Sequence, residues 1–244
     1  MEIIDLEQPN VLIIKNFFSK EEVEKVLIPM KETSEEIWNL QGEAKKEDST
    51  RIKRMSERLI ESDNMNWYGM TMDITSRVDA YRMYSHLPHA FLIEKEQQIK
   101  KIITNKFKQN VVLQLSGLHR WRPGREQKPH IDYYDSSEQH DFDMLEKYNL
   151  TKDRLEEFEH SFNDKHYSSL VYFNEDYMGG ELYMPQWDWE IKPETGMLIA
   201  FEGNQNHLHG VKMMEEGIRY TWSIFWTRFE WAMKNKIKDS KVSM

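Results

Sequence analysis

His130-Ile131-Asp132 and His207-Leu208-His209 are the residues of this chain whose types and spacing could do chemistry, and Arg219 follows the second group by ten residues. In an extended strand, side chains at i and i+2 project from one face, so His130 and Asp132 can grip one ion while Ile131 points away. Two imidazoles and a carboxylate cover one face of a divalent metal and leave the other open to exogenous ligands. Fe(II), Mn(II) and Zn(II) all suit such donors. The chain has no cysteine, which excludes a thiolate-held zinc or an iron–sulfur centre. On a regular strand His207 and His209 would share a face, so spacing alone leaves either as the third ligand. A lone His-x-Asp also arises as a surface pair on a polar strand, so the surrounding text has to decide.

That text is Trp121-Arg122-Pro123-Gly124, then Pro129-His130-Ile131-Asp132, then Ser169-Leu170-Val171-Tyr172-Phe173-Asn174 and Gly179-Gly180-Glu181-Leu182. Pro193-Glu194-Thr195-Gly196 with Leu198-Ile199-Ala200-Phe201 follows, and then His209-Gly210-Val211 and Gly217-Ile218-Arg219-Tyr220. In order and spacing these pieces resemble the Fe(II)/2-oxoglutarate dioxygenases, and within them the prolyl 4-hydroxylase-like branch. The resemblance covers roughly the C-terminal half of the chain. It implies that His130, Asp132 and His209 hold iron, since His209 carries the family's His-Gly-Val form. His207 is then left as a donor to a ligand or a plain polar residue at the barrel mouth. It further implies that Arg219 binds the far carboxylate of 2-oxoglutarate, a task that suits the planar, permanently charged guanidinium fork. Fe(II), 2-oxoglutarate and O2 are the implied cofactors and co-substrates, with ascorbate as a potential auxiliary reductant.

The chain departs from the family pattern at Trp121, where tyrosine is common, and at Gln127, where a tyrosine hydroxyl often meets 2-oxoglutarate. Gln127 could donate through its amide instead, or Tyr133 or Thr221 could supply the hydroxyl. A carboxylate at position 132, in place of the small residue of related halogenases, favours hydroxylation. Arg219 and Arg228 do not reproduce the arginine pattern of the nucleic-acid demethylase branch.

The elements that must position these residues begin with Val11–Ile14, read as a strand, and a helix to about Lys31 opened by a Ser19-x-x-Glu22 capping box. Residues 42–54 are charged and poor in apolar side chains, which predicts a loop that could order over a bound peptide. His89–Lys108 has apolar residues at helical spacing. From Val111 the period becomes that of strands, with eight candidates: Val111–Trp121, Pro129–Tyr134, Ser168–Asn174, Glu181–Met184, Trp189–Lys192, Met197–Phe201, Leu208–Lys212 and Ile218–Thr227. Eight strands punctuated by glycine and proline predict a jelly roll, and the resemblance implies the same mainly-β, double-stranded β-helix core with flanking helices. Leu115, Val171, Leu198 and Phe225 are expected to line its interior. The expectation is one oxygenase domain over 1–244, with residues 1–110 as support, 111–230 as core and a helical insertion at 137–165. The insertion reads as an excursion packed on the barrel edge, with a substrate-entrance wall or a dimer contact as alternatives.

A chain of 244 residues can bury one sizeable core. The net charge of −9 and mean hydropathy of −0.78 argue against a nucleic-acid partner, whose affinity rests on clustered Lys and Arg. No apolar run is long enough for a bilayer, and Met1–Asp5 lacks the layout of a signal peptide, so the cytosol is the expected location. Tyr134, Trp187, Trp189 and Tyr220 are expected near the barrel mouth, where aromatic side chains suit extended proline-rich peptides. The expected function is hydroxylation of an unactivated C–H bond, with a prolyl residue of a peptide or protein as substrate. The same chemistry on a free amino acid or other small molecule, and a non-catalytic metal- or ligand-binding β-helix, are the alternatives.

Overall fold

The computed structural model describes residues 2–7, 9–33, 68–71, 86–159 and 165–228; the expected loop at 42–54 lies outside them. Thirteen strands are found among the described residues. In chain order they are β1 (Glu2–Leu6), β2 (Val11–Lys15), β3 (Tyr68–Thr71), β4 (Val112–Trp121), β5 (Gln127–His130), β6 (Tyr167–Tyr172), β7 (Met178–Gly179), β8 (Leu182–Met184), β9 (Trp189–Ile191), β10 (Leu198–Glu202), β11 (His209–Val211), β12 (Met214–Glu216) and β13 (Arg219–Thr227). The helices are α1 (Lys20–Glu32), α2 (His89–Phe107), α3 (Phe142–Glu146) and α4 (Lys152–Glu159).

All described strand pairs are antiparallel, in a seven-stranded sheet of order β1-β2-β10-β6-β13-β4-β3, a four-stranded sheet β5-β11-β8-β9 and a pair β12-β7. This is a mainly-β, jelly-roll core with helices on one flank, as the strand count and turns predicted.

Alternation along the strands sorts the large sheet into two buried faces. Leu12, Ile14, Leu198, Ala200, Val171, Trp222 and Ile224 share one cluster with Val23, Val26 and Met30 of α1 and Leu92, Ile99 and Ile103 of α2. Val11, Ile13, Tyr172, Ile199 and Phe201 point the other way and pack with Leu182 and Met184 of the smaller sheet. Val171 and Leu198 therefore back the helices, contrary to the expectation that they line the barrel. With both faces buried, the run of apolar residues does not reveal which parity looks inward. Leu115 and Phe225 pair across β4 and β13 on the face that carries Arg219.

The helix layer forms where its local signals predict. Ser19 accepts from the Glu22 backbone N–H while the Glu22 carboxylate accepts from the Ser19 N–H, the reciprocal capping box. Lys95 of α2 ties the two helices together by an ion pair to Glu22 at 2.7 Å. Phe18, fully buried between helices and sheet, meets Phe17, Phe91, Phe173 and Trp222 edge to face, a geometry aromatic pairs prefer.

Two of the expected strands are cut short at the candidate site. The segment Pro129–Tyr134 leaves the ladder after His130, because the backbone N–H groups of Asp132 and Tyr133 both donate to the Gly203 carbonyl, at 2.9 and 2.8 Å. Leu208–Lys212 begins as a strand only at His209, since Gln205–His207 form a 3-10 turn whose Asn204 side chain accepts from the Asn206 N–H. Asx capping of this kind outcompetes the ladder at a turn.

Candidate metal centre

His130 ends β5 and His209 opens β11, and the two residues face each other across that antiparallel pair. Their ring centroids lie 4.3 Å apart. Asp132, two residues beyond the end of β5, turns its carboxylate toward both rings: Oδ1 is 3.9 Å from His130 Nε2 and Oδ2 is 3.5 Å from His209 Nε2. One donor atom from each of the three residues lies within 4.8 Å of the others. First-row metals sit roughly 2.0–2.2 Å from such donors, which places adjacent ligand atoms about 3 Å apart, close to the observed separations.

The tautomers are set by the backbone. His130 Nδ1–H donates to the Lys128 carbonyl at 3.0 Å and His209 Nδ1–H donates to the His207 carbonyl at 2.8 Å, so in both rings Nε2 carries the lone pair that faces Asp132. Burial pushes His209 down to about 3, and lowers His130 despite the opposing pull of Asp132; both rings are neutral donors at neutral pH. Burial would raise the Asp132 carboxyl, but His209, Lys165, His130 and the Ser168 hydroxyl together hold it below its ordinary range. Ser168 Oγ donates to Asp132 Oδ2 at 2.6 Å, which fixes the carboxylate's direction. A divalent cation fits this donor set.

Gly203 explains how a residue beyond the strand reaches the cage. A Cβ there would stand 2.1 Å from the Lys165 carbonyl and 3.0 Å from Asp132 Cβ, so only glycine lets its carbonyl reach under the Asp132 backbone.

Arg219 opens β13 and is 2% exposed. Its guanidinium lies 4.3 Å from the Trp121 ring and 5.8 Å from Tyr172, and Nη1 donates to the Gly180 carbonyl at 2.6 Å. Its Nε has no hydrogen-bond partner, and among the described residues no carboxylate lies within ion-pair distance. A buried permanent cation without an anion is costly, and a dicarboxylate reaching into the barrel would supply one. The Asn174 side chain fixes the start of this strand, donating to the Ile218 carbonyl and accepting from the Tyr220 N–H.

The structure distributes the other expected site residues unevenly. Thr221 is buried, shares the inward parity of Arg219 and stands opposite Tyr172 and His119. Gln127 donates its amide N–H to His130 Nε2 at 3.1 Å; a metal taking that lone pair would free the amide to donate elsewhere. Trp189 is half-buried at the edge of the small sheet, against the barrel cluster. Tyr220 is a correction: one residue from Arg219, it has the opposite parity and lies in the helix-backed core. Tyr134 is another, 3% exposed in a separate cluster with Ile131, Leu145, Leu155 and Leu208. Nearness in sequence puts both beside the barrel mouth but ignores side-chain direction. His207 is a buried residue of the 3-10 turn and bonds Asn204 Oδ1 at 3.1 Å, so it does not share a strand with His209. Ser168, Gly203 and Tyr172 were not singled out from the sequence. Ser168 and Tyr172 share one parity on β6, but on a strand buried on both faces the sequence does not show which parity looks inward.

Residues 116–228 match the family model described as the 2OG-Fe(II) oxygenase superfamily. Prolyl 3-hydroxylase 2 of Homo sapiens is 34% identical over 73 residues, which are 28% of this chain and 10% of that protein; the Gallus gallus protein of the same name is 33% identical over 73 residues. The chain thus spans about a tenth of the length of the curated relatives it matches. Among solved structures, the viral collagen prolyl hydroxylase of Paramecium Bursaria Chlorella virus-1, in complex with 2OG, aligns with a TM-score of 0.52 at 15% identity over 88% of this chain and 94% of that one. A prolyl hydroxylase of Trichoplax adhaerens, in complex with a hypoxia inducible factor peptide fragment, aligns with a TM-score of 0.51 at 14% identity over 96% and 87%. These likenesses establish the shared fold. The match over residues 116–228, just under half of the chain, is to a superfamily that uses Fe(II), 2-oxoglutarate and O2.

Proposed function

We propose that this chain is an Fe(II)- and 2-oxoglutarate-dependent hydroxylase in which His130, Asp132 and His209 hold the metal and Arg219 binds the far carboxylate of 2-oxoglutarate. Its proposed substrate is a prolyl residue in a peptide or protein. The observation that carries the reading is the presence, within one barrel, of a three-donor cage and a buried guanidinium with no carboxylate partner among the described residues.

Bound iron supplies the redox chemistry, in which O2 oxidises 2-oxoglutarate to succinate and CO2 and one oxygen atom enters a substrate C–H bond. The chain contributes placement. The two Nδ1–H donations keep both Nε2 lone pairs turned inward, and Ser168 keeps the Asp132 carboxylate from rotating away. Arg219 offers the donors that Gly180 leaves unused, on a guanidinium held against Trp121. Anchoring the co-substrate at its remote end fixes the orientation of its reacting end.

The prolyl substrate is supported by the names of the relatives: the sequence matches are prolyl 3-hydroxylases and the fold neighbours are prolyl hydroxylases acting in a collagen or hypoxia-factor context. Incubation of the iron-loaded protein with 2-oxoglutarate and proline-rich peptides, or with free amino acids, followed by mass spectrometry, tests it. A peptide product heavier by one oxygen atom, formed with stoichiometric succinate, is expected. Product from free amino acids alone would remove the peptide reading and leave the chemistry.

A further inference from the structure

The two segments that supply the cage leave the ladder close to their ligands: His130 and His209 pair across β5 and β11, and the chain departs from the sheet just after the first and just before the second. Asp132 lies past the end of β5, and the turn Gln205–His207 is separated from His209 by Leu208 alone. The side chains adjacent to the ligands point away from the cage and are buried together. Ile131, between His130 and Asp132, is 2% exposed, and Leu208, next to His209, is fully buried. Their partners are Leu145 of α3 and Leu155 of α4, in a cluster that shares no residue with the two clusters of the barrel.

A polar clasp repeats the connection. Gln205 accepts from the Asp141 N–H through Oε1 and donates through Nε2 to the Gln139 carbonyl, both at 2.9 Å. His140 Nε2 lies 2.7 Å from the Asp135 carbonyl. One short insertion therefore grips both ligand segments, one through Ile131 and Asp135 and the other through Leu208 and Gln205.

We infer that the helical insertion, residues 139–155, is a clamp that sets the spacing of the cage, with Leu145, Leu155 and Gln205 as positioning residues. The physical reason is that metal affinity falls when ligands must be reorganised on binding, and groups that orient ligands are typically worth about 10–100-fold in affinity. The insertion is too short to carry its own core, so its apolar face and the backs of the ligand segments complete one another. The inference rests on the reading of His130, Asp132 and His209 as a metal cage, and adds which part of the fold holds that cage closed.

The test measures Mn(II) affinity of the full chain by the electron paramagnetic resonance signal of free Mn(II), at a temperature where every variant is folded. Leu145→Ala is compared with Ile99→Ala, a fully buried truncation in the helix-backed core. Leu145→Ala is expected to weaken Mn(II) binding by about 10-fold, and Ile99→Ala to change it less than about 2-fold at a similar loss of melting temperature. Gln205→Ala, a half-buried change that removes both clasp hydrogen bonds and no apolar packing of the cluster, is expected to weaken binding several-fold. By reciprocity, Mn(II) added to the wild type should slow amide hydrogen exchange in residues 142–155. Equal affinity losses for Leu145→Ala and Ile99→Ala, or unchanged affinity in Gln205→Ala with unchanged exchange in the insertion, would overturn the clamp. If the wild type takes up no Mn(II), the cage reading itself falls, and the clamp falls with it.

Discussion

The two faces of the seven-stranded sheet are made by the same strands and do opposite work. On β13, Trp222 and Ile224 enter a dry cluster under α1 and α2, while Arg219 and Thr221 look into the barrel beside His119 and Tyr172. The first face is apolar and densely aromatic. The second buries a cation, a carboxylate and histidines whose protonation is suppressed. Period-two alternation lets one strand anchor the fold on one side and present costly polar groups on the other. Stability and chemistry should therefore separate by parity along a single strand.

Asp132→Ala should give the largest change, with turnover falling to background and metal uptake lost, while the melting temperature moves far less than for a truncation on the helix side. Metal titration beside a thermal melt checks both halves. Trp222→Ala should do the reverse, costing about 3–5 kcal/mol of stability. Denaturant titration measures that cost, and the fraction that remains folded should bind metal as the wild type does. Equal behaviour of these two variants would erase the distinction between the faces.

Arg219→Met sharpens the contrast, because it removes a charge that burial penalises while keeping much of the side chain's bulk. Losing one partner of a buried charge pair costs about 2–5 kcal/mol in binding, so the KM for 2-oxoglutarate should rise about 30-fold or more. The melting temperature of the ligand-free protein should stay level or rise, since the uncompensated cation is gone.

pH acts on the barrel face. Burial lowers His119 and His209 to about 3 and His207 to about 4, against an ordinary 6.5. Between those values the unfolded chain binds more protons than the folded one, so stability is full above about pH 6.5 and declines as pH falls toward 4. Thermal melts of the metal-free protein from pH 7.5 to 5 should show this decline; a flat profile would mean these rings are not held neutral.

Much of this division is legible in the sequence, and its failures are instructive. The Ser19–Glu22 cap is local, so its text suffices. His130 and His209 are legible because each stands in a strand with distinctive neighbours. Asp132 reaches the cage by a different route from the one its spacing suggests: the i, i+2 rule needs a strand, and the strand ends at His130 once Gly203, some seventy residues later, captures the next backbone N–H groups. Tyr134 and Tyr220 were misplaced for a related reason, since direction on a doubly buried strand or beyond a strand end depends on distant partners. Ser168 acts across 36 residues and Gln205 across 64 and 66, where no local pattern points to them.

The most direct test of the central claim is the visible spectrum of the anaerobic protein mixed with Fe(II) and 2-oxoglutarate. A weak metal-to-ligand charge-transfer band is predicted for the wild type and should vanish in His130→Ala and in Asp132→Ala. No band in the wild type, or a band that survives either substitution, would contradict the assignment of iron to His130, Asp132 and His209.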